Sequence, residues 1–203
     1  MRHDNAILLL GPTGSGKTPF GQYLEAHTFR GHRCVHFDFG VQLRAVAAGE
    51  HRPADLTEAD RAVVIHCLKT GALLENEQFA IAAKILRAFA SQHNIAATEH
   101  IVLNGLPRHV GQACDVDQIV TVTTVISLDC SPEVVQERIR LNTGGDRTGR
   151  VDDDLAAIAR KLCIFRERTL PLIEHYRAQG VPIHSLPVGV QTTPHDLLQQ
   201  LNG

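Results

Sequence analysis

Ala6-Ile7-Leu8-Leu9-Leu10 runs directly into Gly11-Pro12-Thr13-Gly14-Ser15-Gly16-Lys17-Thr18. A short apolar run that stops at glycines reads as a buried strand, and the amphipathic segment after it reads as a helix. The loop between them satisfies G-x-x-x-x-G-K-[ST], the phosphate-binding loop. Gly11, Gly14 and Gly16 permit dihedrals and a close backbone approach that a Cβ forbids, so successive N–H groups can surround a phosphate. Lys17 adds a mobile cation for the β- and γ-phosphates, and Thr18 offers a hydroxyl to Mg²⁺. The helix starting near Thr18 directs its positive end at the anion, and Pro19 is tolerated in a first turn that needs no N–H there. An accidental glycine-rich turn would require neither the strand nor the helix, and both are present. The stretch predicts a nucleoside triphosphate site.

The chain has 203 residues, enough for one domain with small inserted lobes and a sizeable core. A hydrophobic fraction of 43% with 21% charged residues is ordinary for a globular protein. A net charge of −2 gives no general attraction to nucleic acid or to an anionic membrane, and neither is expected as a partner. Met1-Arg2-His3-Asp4 leads straight into the first strand and no apolar stretch reaches 18 residues, so neither a signal peptide nor a membrane span is expected. The five cysteines (Cys34, Cys67, Cys114, Cys130 and Cys163) are odd in number and lack CxxC pairing. They read as reduced, mostly buried thiols of a cytoplasmic protein. His32, Cys34 and His36 alternate along a predicted strand; ordinary strand side chains are the expectation, a metal site the alternative.

Outward from the loop, helix is expected over about 19–29 and a second strand over Cys34–Phe39. Residues 40–76 have helical spacing broken at His51-Arg52-Pro53, with Thr57 as an N-cap. A long helix is predicted over 77–92, strands over 101–104 and 124–129, and a helix from Ser131-Pro132-Glu133. Asn142–Arg150 reads as a polar, glycine-rich mobile loop. Helix is expected again over 154–179 with a break near Pro171, then a strand over 181–185 and a last helix over 195–201. Strands alternating with helices predict a five-stranded parallel sheet covered on both faces, an α/β fold. Ligands of such sheets bind beyond the carboxyl ends of the strands, where the loop, Asp38, Asn104-Gly105 and Asp129 are expected to converge. Arg44, Arg108, Arg138, Arg147 and Arg150 come after strand ends or border the polar loop. Phosphoryl transfer between two anionic nucleotides needs such planar cationic donors.

With these residues in place, the sequence resembles the adenylate kinase family of nucleoside monophosphate kinases over nearly its whole length. Gly40-Val41-Gln42-Leu43-Arg44 is similar to the family's G-D-x-L-R segment. Asn104-Gly105-Leu106-Pro107-Arg108 with Gln112-Ala113 resembles D-G-F-P-R-x-x-x-Q-A. Glu137-Arg138-Ile139 and Thr148-Gly149-Arg150-Val151-Asp152-Asp153 resemble the lid region, and Thr169-Leu170-Pro171-Leu172-Ile173 the T-x-P-[LV]-I helix. The resemblance implies a single P-loop kinase domain over 1–203, a monophosphate-binding lobe over 40–76 and a short, cysteine-free lid over 139–150. It implies a cytoplasmic, monomeric enzyme that uses Mg²⁺ to move the γ-phosphoryl group of ATP to a nucleoside monophosphate, AMP by default. ATP would be held by Gly11, Gly14, Ser15, Gly16, Lys17, Thr18 and Arg138. The monophosphate would be held by Phe39, Gly40, Arg44, Gly105, Arg108, Gln112, Arg150 and Lys161. Lys17, Arg108, Arg138 and Arg150 would act in transfer, and Thr18 with Asp38 would face the metal. Residues 186–191 would lie beside the donor adenine.

The departures from the pattern bear on the acceptor and the metal. The family acids are Asn104 and Val41 here, which leaves Asp38 to compensate, as acids after the second strand serve small-metabolite kinases. The threonine beside the acceptor base is Phe39, able to stack but not to hydrogen-bond through its side chain. One lid-side arginine is Lys161, another is Asn142 with Arg147 as a stand-in, and Gly-Lys-Thr-Pro replaces Gly-Lys-Gly-Thr. These departures open two alternatives: a kinase for another small acceptor, or a nucleotide-binding regulator that has lost catalysis.

Overall fold

The computed structural model describes residues 4–50, 53–148 and 154–202. Five strands form one sheet in the order β2-β3-β1-β4-β5, with β1 Asp4–Leu10, β2 Cys34–Asp38, β3 His100–Asn104, β4 Val120–Asp129 and β5 Ile183–Pro187. Every neighbouring pair is parallel. The apolar run opening the chain is therefore the central strand, and all five carboxyl ends share one edge.

Period-2 alternation divides the core between the two faces. Ala6, Leu8, Val35, Phe37, Ile101 and Leu103 face one side, packed with Leu86 and Phe89 of α4 (Phe79–His93) and Tyr176 of α8 (Leu172–Ala178). Ile7, Leu9, Val102, Ile126 and Leu128 face the other, against Phe20 and Leu24 of α1 (Lys17–His27) and Leu197 and Leu201 of α9 (Pro194–Asn202). Helices thus cover both faces, as the strand–helix alternation predicts.

Several boundaries differ from the expected ones. β4 begins at Val120, four residues before the predicted start, because a register shift opposite Ala6/Ile7 absorbs one residue of Val122-Thr123-Thr124. Thr123 Oγ1 donates to Ala6 O across that irregularity at 3.1 Å. Phe39, read as the end of the second strand, instead opens α2 (Phe39–Ala48), capped by Asp38, whose Oδ1 accepts from Val41 N at 3.0 Å. The seven-residue helix α5 (Val110–Val116) was not predicted; its cap is His109, outside the usual capping residues. α7 (Leu155–Ile164) runs into a wide turn over Phe165–Thr169 before α8, the break expected near Pro171. α6 (Pro132–Leu141) carries Ser131 as its cap, as expected.

α3 (Glu58–Thr70) packs on α2, and Arg61 ties the two by donating to Val46 O and Ala47 O at 3.2–3.3 Å through Nε and to Ala47 O at 2.7 Å through Nη2. Thr57 and Asp60 form a reciprocal capping box at the start of α3. Thr57→Ala is expected to cost about 1 kcal/mol, read as a lower urea midpoint at unchanged slope.

No disulfide joins the cysteines: Cys34 and Cys67 are buried, whereas Cys114 and Cys163 are exposed, so the thiols are less buried than expected. Among the described residues no group of three or more His, Cys, Asp or Glu is placed to hold a metal ion; Cys34 and His36 lie on β2, whereas His32 precedes it in an isolated bridge with Phe29. No helix among the described residues is long and apolar enough to cross a membrane.

Candidate functional site

The loop between β1 and α1 borders a cavity of about 260 Å³ at the carboxyl edge of the sheet. Gly14 (φ 76°) and Gly16 (φ 98°) occupy left-handed backbone that L side chains avoid. Their surroundings also crowd a Cβ: one on Gly14 would lie 2.8 Å from Ile139 Cγ1, and one on Gly16 would lie 3.0 Å from Arg138 Nη2. Ser15 Oγ is fully buried and has no hydrogen-bond partner among the described residues.

Lys17 folds back on its own loop, donating from Nζ to Gly11 O and Pro12 O, each at 2.7 Å. Burial and the nearby cations Arg108 and Arg147 push its pKa down to about 7, against the opposing pull of Asp38 and Asp146. Cations crowded into a desolvated cavity lose charge unless an anion joins them. Lys17 is therefore set up to be recharged by a bound phosphate.

Parallel register brings the acidic corner together, because Asp38 lies opposite Asn104 and Asn104 opposite Leu9, at the mouth of the loop. Thr18 Oγ1 donates to Asp38 Oδ2 at 2.7 Å, and Asn104 Nδ2 donates to both Asp38 Oδ2 (2.9 Å) and Thr18 Oγ1 (3.0 Å). The acid of this corner stands at the end of β2, and the amide at the end of β3 donates to it; two facing carboxylates would repel. Val41 contributes a backbone N–H to this corner, its side chain being 46% exposed. A hydroxyl and a carboxylate oxygen side by side fit Mg²⁺, which takes one or two protein oxygens together with phosphates and waters.

Gly11, Gly14, Gly16, Lys17, Thr18, Asp38, Gly40, Arg44, Gly105, Arg108 and Lys161 all line the cavity, as their assignments require. Four of the remaining assigned residues do not line it. Ser15, a loop residue, is fully buried. Phe39 is buried 6.0 Å from Phe37, stacked at 26°, because α2 begins at Phe39 and turns its ring into the core. Gln112 is also buried, its Oε1 accepting from Arg108 N at 2.7 Å and its Nε2 donating to Leu74 O at 2.8 Å. Its amide shapes the Arg108 turn instead of presenting itself to a ligand. Arg138, expected over the phosphates, is buried: Nε donates to Gly14 O (3.1 Å), and Nη1 to Gly189 O (2.7 Å), Val190 O (3.1 Å) and Thr192 O (3.0 Å). It fastens the segment after β5 to the phosphate loop, next to where the donor base is expected. Arg150 lies outside the described residues.

Other lining residues escaped the sequence reading. Cys67, Leu68 and Gly71-Ala72-Leu73 at the end of α3 form an apolar wall beyond Arg44, and Asp146 faces the cavity beside Arg147. Thr169 Oγ1 donates to Arg108 O at 2.8 Å, so the wide turn after α7 buttresses the arginine. The threonine of T-x-P-[LV]-I was the one sequence signal for that contact.

Comparison with known proteins agrees with this geometry. The family model described as AAA domain matches residues 7–160. An adenylate kinase of Parvibaculum lavamentivorans is 28% identical over 180 residues, 86% of this chain and 80% of that protein. An adenylate kinase of a Synechococcus species is 29% identical over 184 residues, 87% of each chain. A uridylate kinase of Saccharomyces cerevisiae is 28% identical over 179 residues, 87% of this chain and 79% of that protein. Matched across most of its length and built around the phosphate loop at its central strand, the chain belongs to the AAA domain family of P-loop proteins and is a divergent member of the adenylate kinase family.

Proposed function

We propose that the chain is an ATP-dependent nucleoside monophosphate kinase, with AMP as the default acceptor. The observation that carries this reading is one cavity lined by two cationic sets suited to phosphate: the loop with Lys17, and Arg44 with Arg108. A site for ATP alone would have no use for the second set. Residues 40–76 form the acceptor lobe and 139–150 the lid in this reading.

The chemistry asks little of the protein beyond position and charge. The loop amides and Lys17 hold the β- and γ-phosphates, with Lys17 exchanging its two carbonyl contacts for phosphate oxygens. Arg108, oriented by Gln112 and Thr169, and Arg44 hold the acceptor phosphate in line. Thr18 and Asp38 would hold Mg²⁺, which when bound neutralises charge on the β- and γ-oxygens. Closure of the acceptor lobe and the lid over the cavity would exclude water, which would otherwise take the phosphoryl group.

Burial of Phe39 and Gln112 leaves the acceptor base without the side-chain readers expected for it, and relatives named adenylate kinase and uridylate kinase are equally similar. The acceptor screen is therefore the decisive test. ATP and Mg²⁺ are expected to give product with at least one of AMP, UMP, CMP and GMP, and none with hydroxyl metabolites. Transfer to a hydroxyl metabolite alone would establish the small-acceptor reading. ATP binding without any transfer would establish the regulator.

A further inference from the structure

We propose that Arg147, delivered by Asn142, is the lid-side guanidinium that stabilises the transferring phosphoryl group, in place of the arginine that the family pattern puts at position 142. The inference rests on the kinase reading above. Asn142 ends α6 in left-handed backbone (φ 49°), where Asn is favoured over Arg, and its amide organises the residues up to 148. Asn142 Oδ1 accepts from Arg147 N at 3.0 Å, Asn142 Nδ2 donates to Thr148 Oγ1 at 3.2 Å, and Asn142 O accepts from Gly145 N at 2.9 Å. Residues 142–148 of the polar segment thus form a hydrogen-bonded strap, and Gly149 and Arg150 lie outside the described residues. The strap meets the first turn of α1 at Gly144, where a Cβ would lie 3.2 Å from Pro19 Cγ and 2.8 Å from Asp146 Oδ1. The two departures at Asn142 and Pro19 fit each other: one folds the strap and the other is the surface it rests on.

The strap places Arg147 over the reacting region. Its side chain is 9% exposed, lines the cavity, and donates from Nη2 to Thr13 Oγ1 of the phosphate loop at 3.0 Å. Asp146 Oδ2 lies 3.9 Å from Arg147 Nε, a resting counter-ion that an incoming phosphate would replace. Arg138, which the family pattern would send to the phosphates, is committed to four carbonyls elsewhere. During transfer the bond between the phosphoryl group and its bridging oxygen on ADP breaks, and a bond to an oxygen of the acceptor phosphate forms. Arg147 exchanges no proton; it donates N–H groups to oxygens whose charge is redistributing.

The test compares Arg147→Ala and Arg147→Lys with Arg140→Ala, an exposed arginine of α6 engaged with Glu137. Arg147→Ala is expected to lower kcat about 30-fold with ADP affinity changed less than about threefold, and Arg147→Lys to recover part of the loss. Arg140→Ala should match the native chain. Because the acceptor is not needed for it, capture of ADP by aluminium fluoride with Mg²⁺ is measured alongside, with the same ~30-fold loss expected for Arg147→Ala. Asn142→Gly, which keeps the left-handed cap, should lower kcat in the same direction, and Asn142→Gly with Arg147→Ala should be no worse than Arg147→Ala alone. Unchanged kcat and capture in Arg147→Ala overturn the inference, as does a loss that tracks Tm and ADP affinity together. A native chain that captures aluminium fluoride yet phosphorylates no monophosphate overturns the kinase reading and leaves capture to decide Arg147; one that does neither overturns both.

Discussion

Lys17→Met is expected to lower phosphoryl transfer about 10³-fold while leaving the chain at least as stable as before. The two parts have one cause. In the native chain the ammonium is desolvated beside Arg108 and Arg147, and its pKa falls to about 7. From there up to its ordinary value near 10.5 the unfolded chain holds a proton that the folded chain does not. Stability from this group therefore rises with pH across that window, and below about pH 7 the folded state carries the full cost of the buried charge. Methionine fills the same path without that cost. A bound triphosphate reverses the balance by raising the Lys17 pKa, so ATP binding above about pH 7 takes up a proton and weakens as pH rises. Calorimetric titration at about pH 8 in two buffers of different ionisation enthalpy should show that uptake in the native chain and lose it in Lys17→Met. Unchanged turnover would remove Lys17 from its phosphate role, and a lower Tm in the variant would overturn the stability argument.

The second large effect belongs to Asp38. Asp38→Asn keeps the cap on α2, since Asn accepts from Val41 N as well as Asp does, but removes the charge next to Thr18. Turnover at about 1 mM Mg²⁺ is expected to fall about 10²-fold and to recover partly at higher Mg²⁺, with the midpoint of the titration moved up at least about tenfold. A titration curve that does not move would show that the acid at the end of β2 has not replaced those absent at Asn104 and Val41. The variant distinguishes relocation of the acid from its loss, which is also the difference between a working kinase and a nucleotide-binding relic.

Much of the donor side was legible because the phosphate loop encodes its function in backbone. Glycines at 11, 14 and 16, a lysine and a hydroxyl are required by the loop's own dihedrals and chemistry, so residue type and spacing carry the whole message. The acceptor side relies on side chains whose direction depends on neighbours distant in sequence. Arg44, Arg108 and Lys161 reached the cavity as expected, but Phe39, Gln112 and Arg138 did not. Each has the residue type that the site would want. Phe39 went inward because α2 starts one residue after Asp38; Gln112 and Arg138 were taken up by carbonyls at Leu74 and at 189–192. Such partners lie tens of residues away, and no local pattern announces them. The seven-residue α5 was missed for a related reason: its cap is a histidine and its helix is too short to show a period.

The sequence by itself determined a parallel α/β sheet, the strand–loop–helix unit at its centre, the loop's affinity for phosphate and the family. All of these arise from short-range periodicity and from motifs whose residues are contiguous. Only the tertiary structure decided which cations face the cavity and which are spent as internal clamps, that the acid at this corner sits on β2 with an amide beside it, and that Asn142 folds a strap carrying Arg147 onto the phosphate loop. Those outcomes depend on strand register and on competition among buried hydrogen-bond partners. Burying an unpaired polar group costs more than any local preference for one orientation, so the long-range partners prevail.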